Sequence, residues 1–187
     1  MKIKELNLKG VFEIQLESKE DSRGFFMRTY DKKIFGQWGL NQEWVQESHS
    51  LSKLKGTIRG LHFQFPPDAE IKLVRMVSGE LMEVYVDLRK DSSTFGQWGD
   101  LILSAKKKNM LYLPKGFAHG ICTLTDNCNI LYKMDNYYAQ YNEYNIKWDD
   151  SDIGIKWPID EPIVISDRDR TAPSFREFVE KYRGLDI

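Results

Sequence analysis

The chain has 187 residues, with 27 basic and 28 acidic side chains, a formal net charge of −1, 41% hydrophobic residues and 13% aromatics. That length fits a single domain able to bury roughly 70% of its unfolded surface, so no disulfide or zinc staple is required. The near-neutral balance excludes the basic footprint of a nucleic-acid binder, and a mean hydropathy of −0.52 with no run of about 18 apolar residues excludes a membrane span.

In chain order, the start Met1-Lys2-Ile3-Lys4-Glu5-Leu6 lacks the apolar stretch of a signal peptide, so the cytoplasm is the expected compartment. A short helix is predicted over Lys32–Trp38. Phe-Gly-Gln-Trp-Gly occurs at 35–39 and again at 95–99; the flanks differ, so the pair reads as coincidence rather than as an internal repeat. Strands are predicted at Thr57–Gln64, Lys72–Val77, Leu81–Arg89, Asp100–Leu103, Met110–Leu113, Gly120–Leu124 and Asn129–Met134. Ser78-Gly79 between two of these runs predicts a tight hairpin, with Val77 opposite Glu80 and Lys72 opposite Tyr85. One face of that hairpin then carries Lys72, Val74, Met76, Leu81, Glu83, Tyr85 and Asp87, a polar and apolar mixture suited to a barrel interior that holds a ligand. A second helix is predicted near 174–182. Many short strands bounded by turns predict a sandwich or barrel.

Three histidines, His49, His62 and His119, limit any imidazole chemistry. His49 lies in a polar stretch and reads as a rim residue. His62 sits beside apolar neighbours in Arg59-Gly60-Leu61-His62-Phe63-Gln64, where a histidine is more often a core residue than a ligand. His119 follows Pro114-Lys115-Gly116-Phe117-Ala118, half of the metal motif of cupin barrels; the other half needs His-x-His, and the chain offers only His62-x-Gln64. No metal is therefore expected. Cys122 and Cys128, with no second pair, read as reduced thiols near a turn. Alone, Lys72 reads as a snorkelling strand-end lysine, Tyr132 as a strand aromatic, and Asp167-Arg168-Asp169-Arg170 as a solvated loop.

Taken together, these blocks resemble the dTDP-4-dehydrorhamnose 3,5-epimerase family from about residue 6 to residue 173. The resemblance rests on Asp21-Ser22-Arg23-Gly24-Phe25-Phe26, Arg59-Gly60-Leu61-His62-Phe63-Gln64, Lys72-Leu73-Val74-Arg75, Val86-Asp87-Leu88-Arg89 and Ser104. It continues through Leu113-Pro114-Lys115-Gly116-Phe117-Ala118-His119-Gly120, Tyr132-Lys133, Asn136-Tyr137-Tyr138, Trp148-Asp149-Asp150, Ile155-Lys156-Trp157-Pro158 and Ser166-Asp167-Arg168-Asp169. It implies a mainly β, cupin-type jelly-roll β-barrel with a few short helices in one domain. It also implies a homodimer with an exchanged N-terminal segment around Arg23, no cofactor, and a nucleotide diphosphate sugar as substrate.

The implied chemistry is epimerisation beside a C4 ketone, which needs a base, an acid on the opposite face and a donor for the enolate oxygen. By motif position His62 resembles the base, Asp169 the carboxylate that orients it, Tyr132 the proton donor and Lys72 the residue that stabilises the oxygen. His119 resembles a pocket residue near sugar or phosphates. Arg23 and Arg59 resemble diphosphate ligands. Phe26, Arg28, Gln46, Ser48, Tyr138, Glu143 and Arg168 fall at positions facing the nucleotide. The chain departs from the family at Arg28, where Glu is common; at Gln46-Glu47-Ser48, for Gln-Asp-Asn; at Glu83, for Asp; and at Arg168, for Lys. Inversion of both C3 and C5 of the dTDP-linked sugar is the leading reading. A single-carbon epimerase, a GDP- or CDP-sugar substrate, a 3,4-ketoisomerase, a metal-dependent cupin enzyme and a non-catalytic sugar-nucleotide binder are the alternatives.

Overall fold

The computed structural model describes residues 1–41 and 43–187. Among the described residues, thirteen strands and three helices follow in chain order: β1 Lys2–Glu5, β2 Phe12–Gln15, β3 Ser18–Asp21, β4 Gly24–Met27, α1 Lys32–Gln37, β5 Gln46–Ser52, β6 Ile58–Gln64, β7 Lys72–Ser78, β8 Glu80–Asp87, β9 Trp98–Ser104, β10 Asn109–Leu113, β11 Phe117–Thr123, β12 Cys128–Met134, β13 Glu143–Asn145, α2 Asp167–Arg170 and α3 Phe175–Tyr182. Two antiparallel sheets face each other in the jelly-roll manner. One has the order β1-β2-β10-β7-β12-β5 and the other β13-β6-β11-β8-β9, while β3 and β4 form a separate two-stranded ribbon.

The space between the sheets is apolar at one end, where Leu8, Val74, Met76, Leu81, Tyr85, Leu111, Phe117 and Ile130 pack together. The outer face of the five-stranded sheet is also covered. Val84, Val86 and Ala118 pack against Phe178 of α3 and Ile146, and Ser174 caps α3 reciprocally with Glu177. On the outer face of the six-stranded sheet, Ile14, Leu73 and Met110 meet Phe35 of α1. Strand β8 is therefore buried on both faces, which explains why apolar residues occupy both of its sides.

The Ser78-Gly79 hairpin does not form. Strand β7 pairs with β10 and β12, whereas β8 pairs with β11 and β9, so the chain crosses from one sheet to the other at Gly79. Gly79 has φ +81°, and a Cβ there would lie 2.8 Å from Cys128 Sγ and from Thr125 Oγ1. The β11–β12 connection is packed against this crossing, with Leu124 donating to the Glu80 carbonyl and Glu80 N–H donating to Thr125 Oγ1. A glycine-containing turn signal is the same whether the chain doubles back or changes sheet. The two-sided burial of β8 decides it, because such a strand needs a place inside a covered sheet. The face assignment survives the change of partner: Val74, Met76, Leu81 and Tyr85 do point inward together. The two Phe-Gly-Gln-Trp-Gly segments take unrelated conformations, one ending α1 and the other leading into β9. Cys122 and Cys128 are free and buried. Among the described residues no helix is long and apolar enough to cross a membrane.

Candidate active site

At the end away from the apolar interior, the two sheets open onto a cavity of about 290 Å³. One wall comes from the five-stranded sheet and carries Arg59, His62 and His119; the other comes from the six-stranded sheet and carries Gln46, Ser48, Lys72 and Tyr132. Tyr138 and Glu143 close the rim.

On β6 a register irregularity places the functional side chains. His62 pairs with His119, but Gly60 already pairs with Gly120, so Leu61 is an extra residue. Regular alternation would put Arg59 and His62 on opposite faces. The bulge restores both to the cavity side. It requires glycine at 60: φ is +119°, and a Cβ would meet Gly120 Cα at 2.6 Å and the His119 carbonyl at 2.7 Å.

His62 Nε2 lies 2.6 Å from Asp169 Oδ1. Asp169 is 3% exposed because its segment is not a loop but the short helix α2. Ser166 caps that helix by accepting from Asp169 N–H, and Asn145 Nδ2 donates to the Arg168 carbonyl to tie it to β13. Helical spacing turns Asp169 inward and Arg168 outward. Burial pushes the Asp169 carboxyl up, but hydrogen bonds and charge from His62, with help from Gly60 N–H and Ser166, outweigh it and hold it below the ordinary carboxylate value. An ionised Asp169 accepts from Nε2–H and leaves Nδ1 of His62 as the free lone pair.

Tyr132 Oη lies 2.6 Å from Ser50 Oγ on the neighbouring β5. Burial, partly offset by the Ser50 hydrogen bond, raises the phenol, so it stays protonated at neutral pH. Lys72 Nζ forms an ion pair with Glu70, both side chains being largely buried. His119 Nδ1 lies 2.7 Å from Glu83 Oε1. At the rim, Glu143 Oε2 accepts from Tyr138 Oη at 2.7 Å and from Arg168 Nη1 at 2.6 Å, and Gln46 Oε1 accepts from Tyr138 N–H.

The structure therefore gathers His62, Asp169, Tyr132, Lys72, His119, Arg59, Gln46, Ser48, Tyr138, Glu143 and Arg168 around one cavity. It leaves Arg23, Phe26 and Arg28 outside it. Arg23 and Phe26 line a shallow depression on the β3–β4 ribbon, Arg23 pairs with Asp21, and Arg28 pairs with Asp31. The two strands of the ribbon pair only with each other, and none of its residues lines its own chain's cavity. His49 is exposed and bonds Asn129. Sequence reading missed Glu70, whose only signal is its place two residues before Lys72 on the same side of an extended segment. It also missed Gln64, whose amide holds the 137–139 loop by donating to the Tyr137 carbonyl and accepting from Ala139 N–H. Among the described residues no three His, Cys, Asp or Glu side chains are grouped as a metal site requires.

The family model described as dTDP-4-dehydrorhamnose 3,5-epimerase matches residues 5–177. A dTDP-4-dehydrorhamnose 3,5-epimerase of Shigella flexneri is 46% identical over 83% of this chain and 85% of its own length. The crystal structure of a protein of the same name from Elizabethkingia anophelis NUHP1 superposes with a TM-score of 0.90 at 40% identity, covering 95% of this chain and 97% of the other. A dTDP-6-deoxy-D-glucose-3,5-epimerase from Legionella pneumophila Philadelphia 1, solved in complex with dTDP-4-keto-L-rhamnose, gives 0.92 at 32% identity, covering all of this chain and 98% of the other. With nearly the whole chain matched in sequence and in fold, this protein belongs to the dTDP-4-dehydrorhamnose 3,5-epimerase family.

Proposed function

We propose that the protein converts dTDP-4-dehydro-6-deoxy-D-glucose to dTDP-4-dehydro-L-rhamnose in the cytoplasm, inverting C3 and C5 through an enolate and without a metal. One observation carries this reading: a His–Asp pair stands on one wall of the cavity and a protonated phenol on the other. Epimerisation needs that opposition, since a proton must leave one face of the ring carbon and return to the other. In this reading His62 Nδ1 takes the proton, and Asp169 holds the imidazole in the required tautomer and stabilises the imidazolium. Tyr132 Oη then protonates the opposite face, and Lys72 meets the charge that develops on the C4 oxygen. Arg59 binds the diphosphate, while Gln46, Ser48, Tyr138, Glu143 and Arg168 hold the nucleotide.

The β3–β4 ribbon belongs to the same proposal. Phe25 is 58% and Phe26 67% exposed, and Arg23 projects into solvent. We assign this ribbon to the site of a second copy, where Arg23, Phe26 and Arg28 complete the nucleotide pocket of a homodimer.

Incubation with the dTDP-linked 4-keto sugar in D2O tests the reaction. Deuterium is expected at both C3 and C5, with full activity after EDTA treatment, and His62→Asn is expected to abolish it in a folded protein. Incorporation at one carbon restricts the enzyme to a single inversion, and none at either carbon overturns the reading.

A further inference from the structure

Glu83 lies directly behind His119 of the cavity wall, and the reaction above leaves the chemistry of both unused. It lies in the middle of β8, opposite Ile121 on β11 and Leu101 on β9, and it is 0% exposed. One carboxyl oxygen meets His119 Nδ1 at 2.7 Å. The other has no hydrogen-bond partner among the described residues. The ionisable groups facing it are His119 on β11, Lys72 on β7 and Tyr132 on β12; His62 and Arg59 of β6 act on His119 and Tyr132 in turn, and the β9 residue opposite it is Leu101. Of these the lysine is the natural counter-ion, and it is held by Glu70.

An ionised carboxylate here would keep one oxygen bare in a dry wall, a state that costs far more than a bare neutral carbonyl. Burial pushes Glu83 up to about 8, with Lys72 offsetting only part of the shift. The imidazole cannot take the proton instead. Burial, followed by the charges of Lys72 and His62, holds His119 well below the ordinary histidine value, Glu70 notwithstanding. The proton therefore stays on the carboxyl, and its one short acceptor is His119 Nδ1. A neutral imidazole that accepts at Nδ1 must carry its hydrogen on Nε2. That nitrogen has no partner among the described side chains, and the ring borders the cavity.

We propose that Glu83 is a positioning residue that acts as a neutral carboxylic acid: it donates to His119 Nδ1 and so presents His119 Nε2–H to the cavity as a second donor, beside Lys72, for the substrate oxygen that gains charge. The proposal deepens the epimerase reading and rests on it for the identity of that oxygen. It also gives the longer side chain at this position a role. The two imidazoles of the site are set in opposite states, His62 by an ionised carboxylate and His119 by a protonated one, so that one accepts a proton and the other donates a hydrogen bond.

The test is the ring ¹⁵N spectrum of the full-length protein, with His119 assigned by its absence in His119→Gln. At pH 7 His119 is expected to show a protonated Nε2 and a bare Nδ1, shifting toward Nδ1–H as the pH passes about 8. Glu83→Gln, whose amide still donates, is expected to keep the Nε2–H form to high pH. It should retain turnover within about threefold while losing the alkaline limb of the pH profile, and Glu83→Leu should lower kcat by about 10- to 100-fold. A His119 ring that carries its hydrogen on Nδ1, or on both nitrogens, at pH 7 overturns the proposal. So does a pH response identical in wild type and Glu83→Gln. The ring spectrum is read without substrate, so an absence of deuterium exchange alongside the expected tautomer would fault the epimerase reading and not this one.

Discussion

Replacing Asp169 by Asn removes one charge and almost no volume, and the local geometry shows why the change should be severe. Two donors converge on separate carboxylate oxygens: His62 Nε2 reaches Oδ1 at 2.6 Å and Gly60 N–H reaches Oδ2 at 3.3 Å. An amide has only one oxygen. If that oxygen keeps Gly60 N–H, the NH2 group faces His62 Nε2 and forces the ring hydrogen onto Nδ1, which occupies the lone pair the base needs. If it keeps His62, the NH2 group opposes a buried N–H, at a cost of about 1–3 kcal/mol. Either way the imidazolium formed on proton abstraction loses its counter-ion at a carboxyl only 3% exposed. We expect a loss of about 3–5 kcal/mol of transition-state stabilisation, or about 10²- to 10⁴-fold in kcat. The assay is deuterium incorporation at C3 and C5 under saturating substrate, with the fold checked by circular dichroism. A folded Asp169→Asn enzyme within about fivefold of wild type would refute the orienting role assigned to Asp169.

Tyr132→Phe should separate two readouts. Inversion falls by about 10²-fold or more, while washout of the substrate proton into D2O continues because His62 can still remove and return it on its own face; equal loss of both would remove Tyr132 from the acid role. Glu83→Gln should change the pH dependence of stability. Because burial raises the folded-state value from 4.5 to about 8, the wild-type contribution is fully present below pH 4.5 and is lost as pH rises through 8. The variant's advantage in urea melts should grow across that window toward a ceiling of about 5 kcal/mol, and parallel curves would contradict the burial argument. Gly60→Ala should destabilise the fold by about 3 kcal/mol, since the new Cβ meets backbone at 2.6 and 2.7 Å that cannot yield; a shift below about 0.5 kcal/mol would mean that the bulge relaxes.

The strands from Thr57 onward were legible because apolar alternation is a local property, and so was the helix near 174–182, with Ser174 and Glu177 marking its start. The early strands β1 to β5 and the short β13 were not, because their residues are mixed and half-exposed. Asp167-Arg168-Asp169-Arg170 has the composition of a solvated loop. The Ser166 cap and the contact with β6 make it a helix that buries one of its four charges.

By itself the sequence determined the β-rich class, the inward face of β7 and β8, and, through ordered motif blocks, the family; it also supplied the candidates for base, acid and lysine. Only the tertiary structure decided which sheet each strand joins, and with it the partners of the charged groups. Burial on both faces sends β8 away from β7 at Gly79. A one-residue bulge turns Arg59 and His62 to the same side. Glu70 takes Lys72 as its partner and leaves Glu83 without a counter-ion. Each outcome depends on groups far apart in the chain competing for the same space or charge, and no local window of residues contains that competition.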